Sequence, residues 1–123
     1  MEHVLEHPDA GMALAQATVR ASLFLGMNEA ILARTLGLRE PAVALILNSE
    51  KPINPESKEG ELALLLVRLH LSLNALVGAD DRKWQFWMEG YNKALEGVPL
   101  QLIQRVDGLV TTLAYLDSMR ASR

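Results

Sequence analysis

The sequence has no cysteine and only a small excess of charge. Without cysteine the chain can form neither a disulfide nor a thiolate metal site, which is typical of a protein from a reducing compartment. Twelve lysines and arginines stand against 15 aspartates and glutamates, for a formal net charge of −3. Because a domain that binds nucleic-acid phosphates usually carries a basic excess or a basic stripe, contact with DNA would require a local patch.

The sequence also lacks a recognisable targeting or membrane segment. Residues 1–10 are acidic and polar, without the positive start and apolar run of a secretory signal. The longest apolar stretch, residues 62–77, is interrupted by Arg68, His70 and Asn74, and we expect it to be too short to span a bilayer. Half of the 123 residues are hydrophobic, which is enough for a packed core. The sequence therefore predicts a cytoplasmic protein with no membrane partner.

Catalytic motifs are missing as well. No glycine-rich nucleotide loop, GxSxG, HExxH or CxxC pattern occurs. His3 and His7 are four residues apart, but the adjacent Pro8 disfavours the helix that would bring them onto one metal ion. His70 stands alone, and the acidic pair at 80–81 has the position of a helix cap and a first-turn acid. The sequence predicts no enzymatic activity, no cofactor and no metal site.

A regular series of helix start and stop signals runs along the chain. Asn28, Asp80 and Asp107 are expected N-caps, while Gly37 and Gly97 are expected helix stops. Near the middle of the chain polar and apolar residues alternate as in a strand, but that segment is long and leucine-rich, which favours a helix. The sequence predicts an all-α fold with seven helices, at 10–25, 29–36, 40–47, 57–77, 81–95, 99–106 and 108–120.

A loop rich in proline and asparagine divides the chain. Residues 48–55 contain two prolines, two asparagines and a serine, a composition that disfavours helix and strand alike. We expect this loop to separate an N-terminal domain at 10–55 from a second domain at 56–123.

The helix expected at 57–77 has two apolar faces. Arg68 and Ser72 lie on one side at helical spacing, and His70 and Asn74 lie roughly opposite. Two apolar faces therefore remain between two thin polar strips, so the helix packs on two sides, within a core or across a subunit interface. Because a chain of 123 residues covers one such face more readily than two, we expect a homodimer.

Residues 29–48 fit the pattern of a helix-turn-helix. The pattern needs a small residue inside the first helix, here Ala33, so that the second helix can cross closely. Four positions later it needs a residue that tolerates positive φ, here Gly37. The apolar residues that the second helix must bury are Leu38, Val43 and Ile46.

The second helix of this motif offers little chemistry for reading DNA bases. Base readout uses Arg, Lys, Asn, Gln, Ser or Thr side chains on the outer face of the helix. The expected outward positions are apolar or acidic, as at Glu40, Ala42 and Leu47. The motif is therefore either a weak DNA-binding element or a scaffold and dimer surface. The candidate DNA contacts are Arg39, Glu40, Ala42, Asn48 and Lys51.

An aromatic stripe marks the helix expected at 81–95. Its bulky residues recur at helical spacing, and burial in the core is the simplest interpretation. Phe86 points roughly the opposite way, and an exposed phenylalanine there would indicate contact with a partner protein. The stripe consists of Trp84, Trp87, Met88, Tyr91 and Leu95.

These residues belong to a longer pattern: Trp87-Met88, Asn92, Leu95, Gly97, Pro99, Gly108-Leu109 and Tyr115-Leu116-Asp117. The pattern resembles the C-terminal toxin-binding domain of the Xre/MbcA/ParS antitoxin family. That family has a Trp-Leu pair, a nearby Asn, Leu-x-Gly-x-Pro, and then a Gly that leads into an apolar C-terminal helix. The family's order of parts, with a helix-turn-helix region in front, is also present. The matching motif positions are Trp87, Asn92, Leu95, Gly97, Pro99, Gly108 and Leu116.

Several motif residues have structural roles of their own. Trp87 is expected to anchor a helix pair, and Asn92 to bond backbone near the turn. Gly97 is expected to form a left-handed helix stop, and Pro99 to begin the next helix. Val98 stands at the N-cap before that proline and has no side-chain oxygen to cap with.

The resemblance implies an antitoxin that binds a RES-domain toxin. Such toxins degrade nicotinamide adenine dinucleotide, and the antitoxin blocks the active-site entrance with its C-terminal region. Carried over, the working end is residues 115–123, whose arginines can pair with acidic catalytic groups. The alternative explanation for these arginines is a favourable interaction with the helix dipole. The predicted toxin contacts are Phe86, Tyr115, Asp117, Arg120 and Arg123.

Three functions remain open on this basis. The preferred one is a type II antitoxin with a helix-turn-helix bundle followed by a small helical toxin-binding domain, in a family that usually couples neutralisation to repression of its own operon. The apolar recognition helix argues against such repression. The alternatives are a transcriptional regulator that acts mainly on operator DNA, and an adaptor that recruits another protein to a membrane-adjacent or polar site.

Overall fold

Seven helices make up the computed structural model, which describes residues 8–78 and 80–122. No strand occurs within these residues, where an isolated antiparallel bridge joins Asn92 and Gly97. The predicted all-α fold is confirmed. In chain order the helices are α1 (Pro8–Phe24), α2 (Glu29–Leu36), α3 (Glu40–Leu47), α4 (Lys58–Val77), α5 (Asp81–Glu89), α6 (Pro99–Leu102) and α7 (Val106–Ala121).

Local capping residues hold α2 and α3 across a short turn. The Asn28 side chain accepts a hydrogen bond from the Ile31 amide at 2.8 Å and so caps α2. Gly37 ends the helix with φ 69°, and the next amide, of Leu38, donates to the Ala33 carbonyl at 3.0 Å. Ala33 is buried, which lets α3 pack closely. The assignment of this pair as a DNA-binding helix-turn-helix stays a prediction.

α4 lies at the centre of the fold. Ser57 caps its start by accepting a hydrogen bond from the Gly60 amide at 3.0 Å. Only glycine fits at position 60, because a Cβ there would overlap the Asn54 carbonyl oxygen. The helix packs most extensively against α7 and then against α1, and it also contacts α2 and α5. α4 therefore joins the first half of the fold to the second.

The core is a single hydrophobic cluster that draws on both predicted domains. It extends from Leu14 in α1 to Leu116 in α7. The division into 10–55 and 56–123 stays a prediction, and the two parts share this core. The largest side chains buried in it are Leu25, Leu32, Leu36, Ile46, Ile53, Leu66, Leu69, Leu73, Met88, Ile103, Leu109 and Leu116.

The apolar stretch at residues 62–77 lies within a longer helix, α4, that begins at Lys58. As a helix of 20 residues, α4 is long and apolar enough to cross a membrane by length and composition. In the fold, 39% of its most apolar window is buried, and the helix packs against α1 and α7. A core helix has the same length and composition, so one helix of this kind is weak evidence for a membrane span.

Several helix boundaries differ from the sequence prediction. α5 ends at Glu89 rather than at residue 95, because Gly90 is extended and the Asn92 amide and carbonyl pair with Gly97 instead of continuing a helix. α6 is a single turn that ends at Leu102. α7 begins at Val106, which places Asp107 in its first turn and not at the N-cap.

Candidate functional site

The C-terminal helix is seated on α4 by an apolar face. Leu109, Leu113 and Leu116 are buried there at helical spacing. Thr112 is also fully buried, and its hydroxyl has no hydrogen-bond partner within the described residues. Residues 118–122 are exposed, so the end of α7 adds little to the core.

A polar network joins the outer part of α7 to α4. The Ser72 hydroxyl donates a hydrogen bond to Asp117 Oδ1 at 2.7 Å and accepts one from the Arg120 guanidinium at 3.1 Å. Arg68 lies 3.4 Å from the other Asp117 oxygen. Ser72 is buried, whereas the Arg68 side chain is 61% exposed. The structure thus brings together two predicted toxin contacts, Asp117 and Arg120.

The sequence reading missed Arg68 and Ser72 as members of this network. The signal was present, because their spacing of four residues already placed them on one strip of α4. What the spacing does not reveal is the helix that covers the strip, since Asp117 is 45 residues further along the chain. Of the other predicted contacts in this region, Tyr115 is half-buried and Arg123 lies outside the described residues.

The loop between α5 and α6 is built around Asn92. Its side chain accepts a hydrogen bond from the Leu95 amide at 3.0 Å. Its backbone pairs with Gly97, with N···O distances of 2.8 and 3.2 Å. The predicted backbone-bonding role of Asn92 is therefore confirmed.

The role predicted for Gly97 is wrong. The residue in the left-handed region is Glu96, with φ 56°, and Gly97 is not in that region. Gly97 is constrained by space instead, because a Cβ there would lie 3.0–3.2 Å from three atoms of the Leu102 side chain. Leu95, another motif residue, is half-buried in the loop rather than part of a helix.

Pro99 and Gly108 place the last helix. Pro99 is buried at the first turn of α6, after Val98, which makes no side-chain cap. Gly108 packs against the backbone of α6, where a Cβ would overlap the Leu102 carbonyl oxygen. A glycine at this position therefore lets α7 start directly against α6.

The predicted aromatic stripe is only partly buried. Met88 is fully buried, and Trp84 and Trp87 are half-buried against the core. Tyr91 is 69% exposed, contrary to the prediction, because the helix ends before it. Phe86 is 78% exposed, as its opposite orientation predicted.

An open cavity lies beside Phe86. Its volume is about 460 Å³, and Arg82, Gln85, Glu89 and Gly90 complete its lining. Gln85 donates a hydrogen bond to Glu89 at 3.3 Å along the same helix. The exposed side of α5 therefore combines an aromatic ring with side chains of both charges.

His70 has a place in an aromatic cluster rather than on an isolated polar strip. Its ring stacks on Phe24 with centroids 4.7 Å apart, and Phe24 also contacts Trp84 at 5.3 Å. Partial burial, followed by the positive charge of Arg20, lowers the pKa of His70 below its usual 6.5. Within the described residues no three His, Asp or Glu side chains are placed to hold a metal ion.

The candidate DNA contacts lie around α3. Arg39 precedes the helix at the N-cap position without a side-chain capping bond, and Asn48 follows it at the C-cap. Ala42 is half-buried. The polar candidates Arg39, Glu40, Asn48 and Lys51 are exposed, as is Leu45, which is 44% exposed in the middle of the helix.

The comparison with protein families finds a match in the second half of the chain. Residues 72–121 match the antitoxin Xre/MbcA/ParS C-terminal toxin-binding domain. The matched residues begin in the last part of α4 and include α5, α6 and most of α7. No curated protein sequence matches the chain.

Proposed function

We propose that this protein is the antitoxin of a type II toxin–antitoxin system and acts by binding rather than by catalysis. The observation that carries the proposal is the match of residues 72–121 to an antitoxin toxin-binding domain. We place the protein in the cytoplasm, where its toxin would be made and neutralised.

The proposed partner is a RES-domain toxin that consumes nicotinamide adenine dinucleotide. The antitoxin blocks its active site with the polar end of α7. The exposure of residues 118–122 supports this role, because a segment outside the core is free to enter a partner. Arginine can pair in a bidentate manner with the acidic groups of an active site. The proposed contacts are Phe86, Tyr115, Asp117, Arg120 and Arg123.

Co-expression tests this function. The RES-domain protein encoded beside the gene should arrest growth and deplete the dinucleotide when expressed alone, and the antitoxin should restore both. The purified antitoxin should also stop dinucleotide consumption by the purified toxin. A toxin of an unrelated fold is the control, because rescue from it would indicate a general effect on growth. Absence of both rescue and co-purification would contradict the proposal.

We also propose that the protein is a homodimer. α4 carries a second apolar face that the described residues leave open, with Leu64 44% and Leu71 56% exposed. Sedimentation at micromolar concentration should give twice the chain mass of 13.6 kDa. Leu71→Glu should shift the protein towards monomer, whereas Leu23→Glu, at a 69% exposed position on α1, should not. A monomer in the unsubstituted protein would contradict this arrangement.

A second candidate function is binding to operator DNA, including repression of the antitoxin's own operon. It is favoured by the packing of two short helices, α2 and α3, across the turn at Gly37, an order of parts that the helix-turn-helix pattern also has. The acidic and apolar outer face of α3 argues against tight readout. We expect negligible sequence-specific binding to the antitoxin's own promoter in a mobility-shift assay at near-physiological salt. Nanomolar binding that survives added salt would favour the regulator instead.

A further inference from the structure

Two arginines from different helices meet at the surface between α4 and α7. Arg68 lies against one oxygen of Asp117, and the other oxygen accepts a hydrogen bond from Ser72. Arg120 donates to the same Ser72 hydroxyl. The two guanidinium groups are therefore connected through one carboxylate and one hydroxyl.

Ser72 holds this arrangement in place. It is 2% exposed, and its hydroxyl donates one hydrogen bond and accepts another. A hydroxyl has a single proton to donate, so the bond to Asp117 leaves its lone pairs for Arg120. The position of the Arg120 side chain therefore depends on a buried group of α4.

The cluster has an excess of positive charge in a protein of net charge −3. The Arg68 guanidinium lies against the Asp117 carboxylate, whereas the Arg120 guanidinium donates to the Ser72 hydroxyl, and each uses one of its five N–H donors in these contacts. The Arg68–Asp117 pair is solvent-exposed, with side-chain exposures of 61% and 39%, and such pairs contribute little to stability. The exposed ion pair therefore does not explain the presence of Arg68 through stability, and the interaction of Arg120 with the helix dipole accounts for only one of the two arginines.

We propose that Arg68 and Arg120 form an arginine pair that receives a carboxylate of the toxin, with Ser72 and Asp117 as positioning residues. The proposal rests on the proposed antitoxin function and deepens it in two respects. It adds Arg68, which precedes the matched residues 72–121. It also gives Asp117 a role that it exerts through the two arginines.

The test measures the affinity of the full-length antitoxin for the RES-domain protein that it neutralises in co-expression. Arg68→Gln and Arg120→Gln should each raise the dissociation constant about tenfold or more, as expected for lost charge-assisted hydrogen bonds. Arg105→Gln is the matched control, because Arg105 is 79% exposed and faces Asp107 at 3.3 Å, away from the cluster. Its dissociation constant should change less than twofold.

Charge reversal identifies the chemistry of the toxin group. Arg68→Glu should weaken binding more than Arg68→Gln, because a carboxylate would be repelled as well as left unpaired. Equal losses for the two variants would show that the toxin group is not acidic. Thermal unfolding and sedimentation of every variant verify the fold and the oligomeric state, since the open face with Leu64 and Leu71 adjoins Arg68.

A double-mutant cycle tests the positioning role of Ser72. If Ser72 acts through Arg120, Ser72→Ala should weaken binding in the presence of Arg120 and have little further effect once Arg120 is glutamine. A purely structural role would give additive losses together with a lowered midpoint of unfolding. Additive losses would therefore overturn the positioning role.

The outcomes separate this proposal from the one on which it rests. If the unsubstituted protein neither binds nor neutralises a RES-domain protein, the proposed function fails. If it does both and Arg68→Gln behaves like Arg105→Gln, the arginine pair is wrong and the antitoxin function stands. If only Arg120→Gln weakens binding, the C-terminus acts alone and the pair is again contradicted.

Discussion

Different contacts hold the α2–α3 pair and the segment from α5 to α7 in place. The α2–α3 pair depends on neighbours in sequence, such as the Asn28 cap and the bond from Leu38 to Ala33. The end of α7 is tied to α4 by hydrogen bonds that join residues 45 and 48 positions apart. Local capping fixes the turn between α2 and α3, whereas the long-range polar contacts form a surface whose chemistry depends on the packing of α7 on α4.

The exposed surfaces of the two regions also differ in their chemistry. The outer side of α3 presents Leu45 and Glu40, which cannot donate hydrogen bonds to an anion or a base edge. Exposed arginines occur in both regions, among them Arg34 and Arg39 in the first, whereas the second region adds the exposed rings of Phe86 and Tyr91. Aromatic and arginine side chains are the ones that dominate protein interfaces. Binding of a protein partner is therefore expected to depend on the second region.

The largest expected effect on stability separates a packing glycine from a turn glycine. Gly108→Ala should lower the free energy of unfolding by about 3 kcal/mol or more, because the methyl group would overlap the Leu102 carbonyl of α6. In Gly37→Ala the added methyl group contacts no other atom. The strain of an alanine at φ 69° is then the only cost, and it should lower the free energy of unfolding by about 1–2 kcal/mol. Urea denaturation of both variants measures the difference, and an equal cost would show that α7 shifts to make room.

The next effect concerns binding rather than stability. A chain that ends at Asp117 should fold and dimerise, because residues 118–122 are exposed and Leu109, Leu113 and Leu116 remain. It should bind the toxin about a hundredfold more weakly and lose growth rescue, because Arg120 is removed. Circular dichroism checks the fold, and titration calorimetry measures the affinity. A folded, truncated protein that still rescues growth would move the blocking surface to Phe86 and α5.

A pair of asparagines gives a smaller, matched effect. Asn28→Ala and Asn92→Ala each remove one side-chain bond to a backbone amide, and each should cost about 1 kcal/mol of stability. Only Asn92→Ala should also weaken toxin binding, because its loop follows Gly90, which lines the cavity beside the proposed contact Phe86. Urea denaturation and calorimetry on the same samples measure both quantities. Weaker toxin binding by Asn28→Ala would indicate that the α2–α3 pair contacts the toxin.

The smallest effect is the pH dependence that His70 contributes. Because its pKa is lowered in the folded protein, the folded state prefers the neutral ring. Its contribution to stability is complete above the unfolded pKa of 6.5 and decreases as the pH falls through the lower, folded value. Unfolding midpoints between pH 7 and pH 5 should therefore fall less steeply for His70→Gln than for the unsubstituted protein. Identical slopes would show that partial burial and the neighbouring Arg20 do not affect the ring's charge.

The accuracy of the sequence predictions follows the range of the contacts. The α2 boundaries could be predicted because Asn28 and Gly37 act on residues only a few positions away. The end of α5 was misplaced by six residues, from residue 95 to Glu89, because helical spacing continues through the loop that the Asn92–Gly97 pairing closes. The periodicity of the bulky residues contains no sign of that pairing.

The candidate site shows the same limit. The family motif led to Asp117 and Arg120, and the polar strip of α4 was visible as a pattern. Nothing in the sequence joins the two, because the contact between Ser72 and Asp117 exists only after α7 has packed on α4. Gly97 is a further case. A glycine is needed there because the Leu102 side chain takes up the space of a Cβ, and not because the backbone has the left-handed conformation that the motif suggests.

The central position of α4 also restricts how such a protein can evolve. One side of the helix packs against α1 and another against α7, so a substitution in α4 affects its packing against both halves of the chain. A recombination at the loop 48–55 would pair α4 with a foreign first half, and the new interface would have to be repacked before the chimaera could fold well. The protein can therefore diversify its two ends by point substitutions more readily than it can exchange either of them whole.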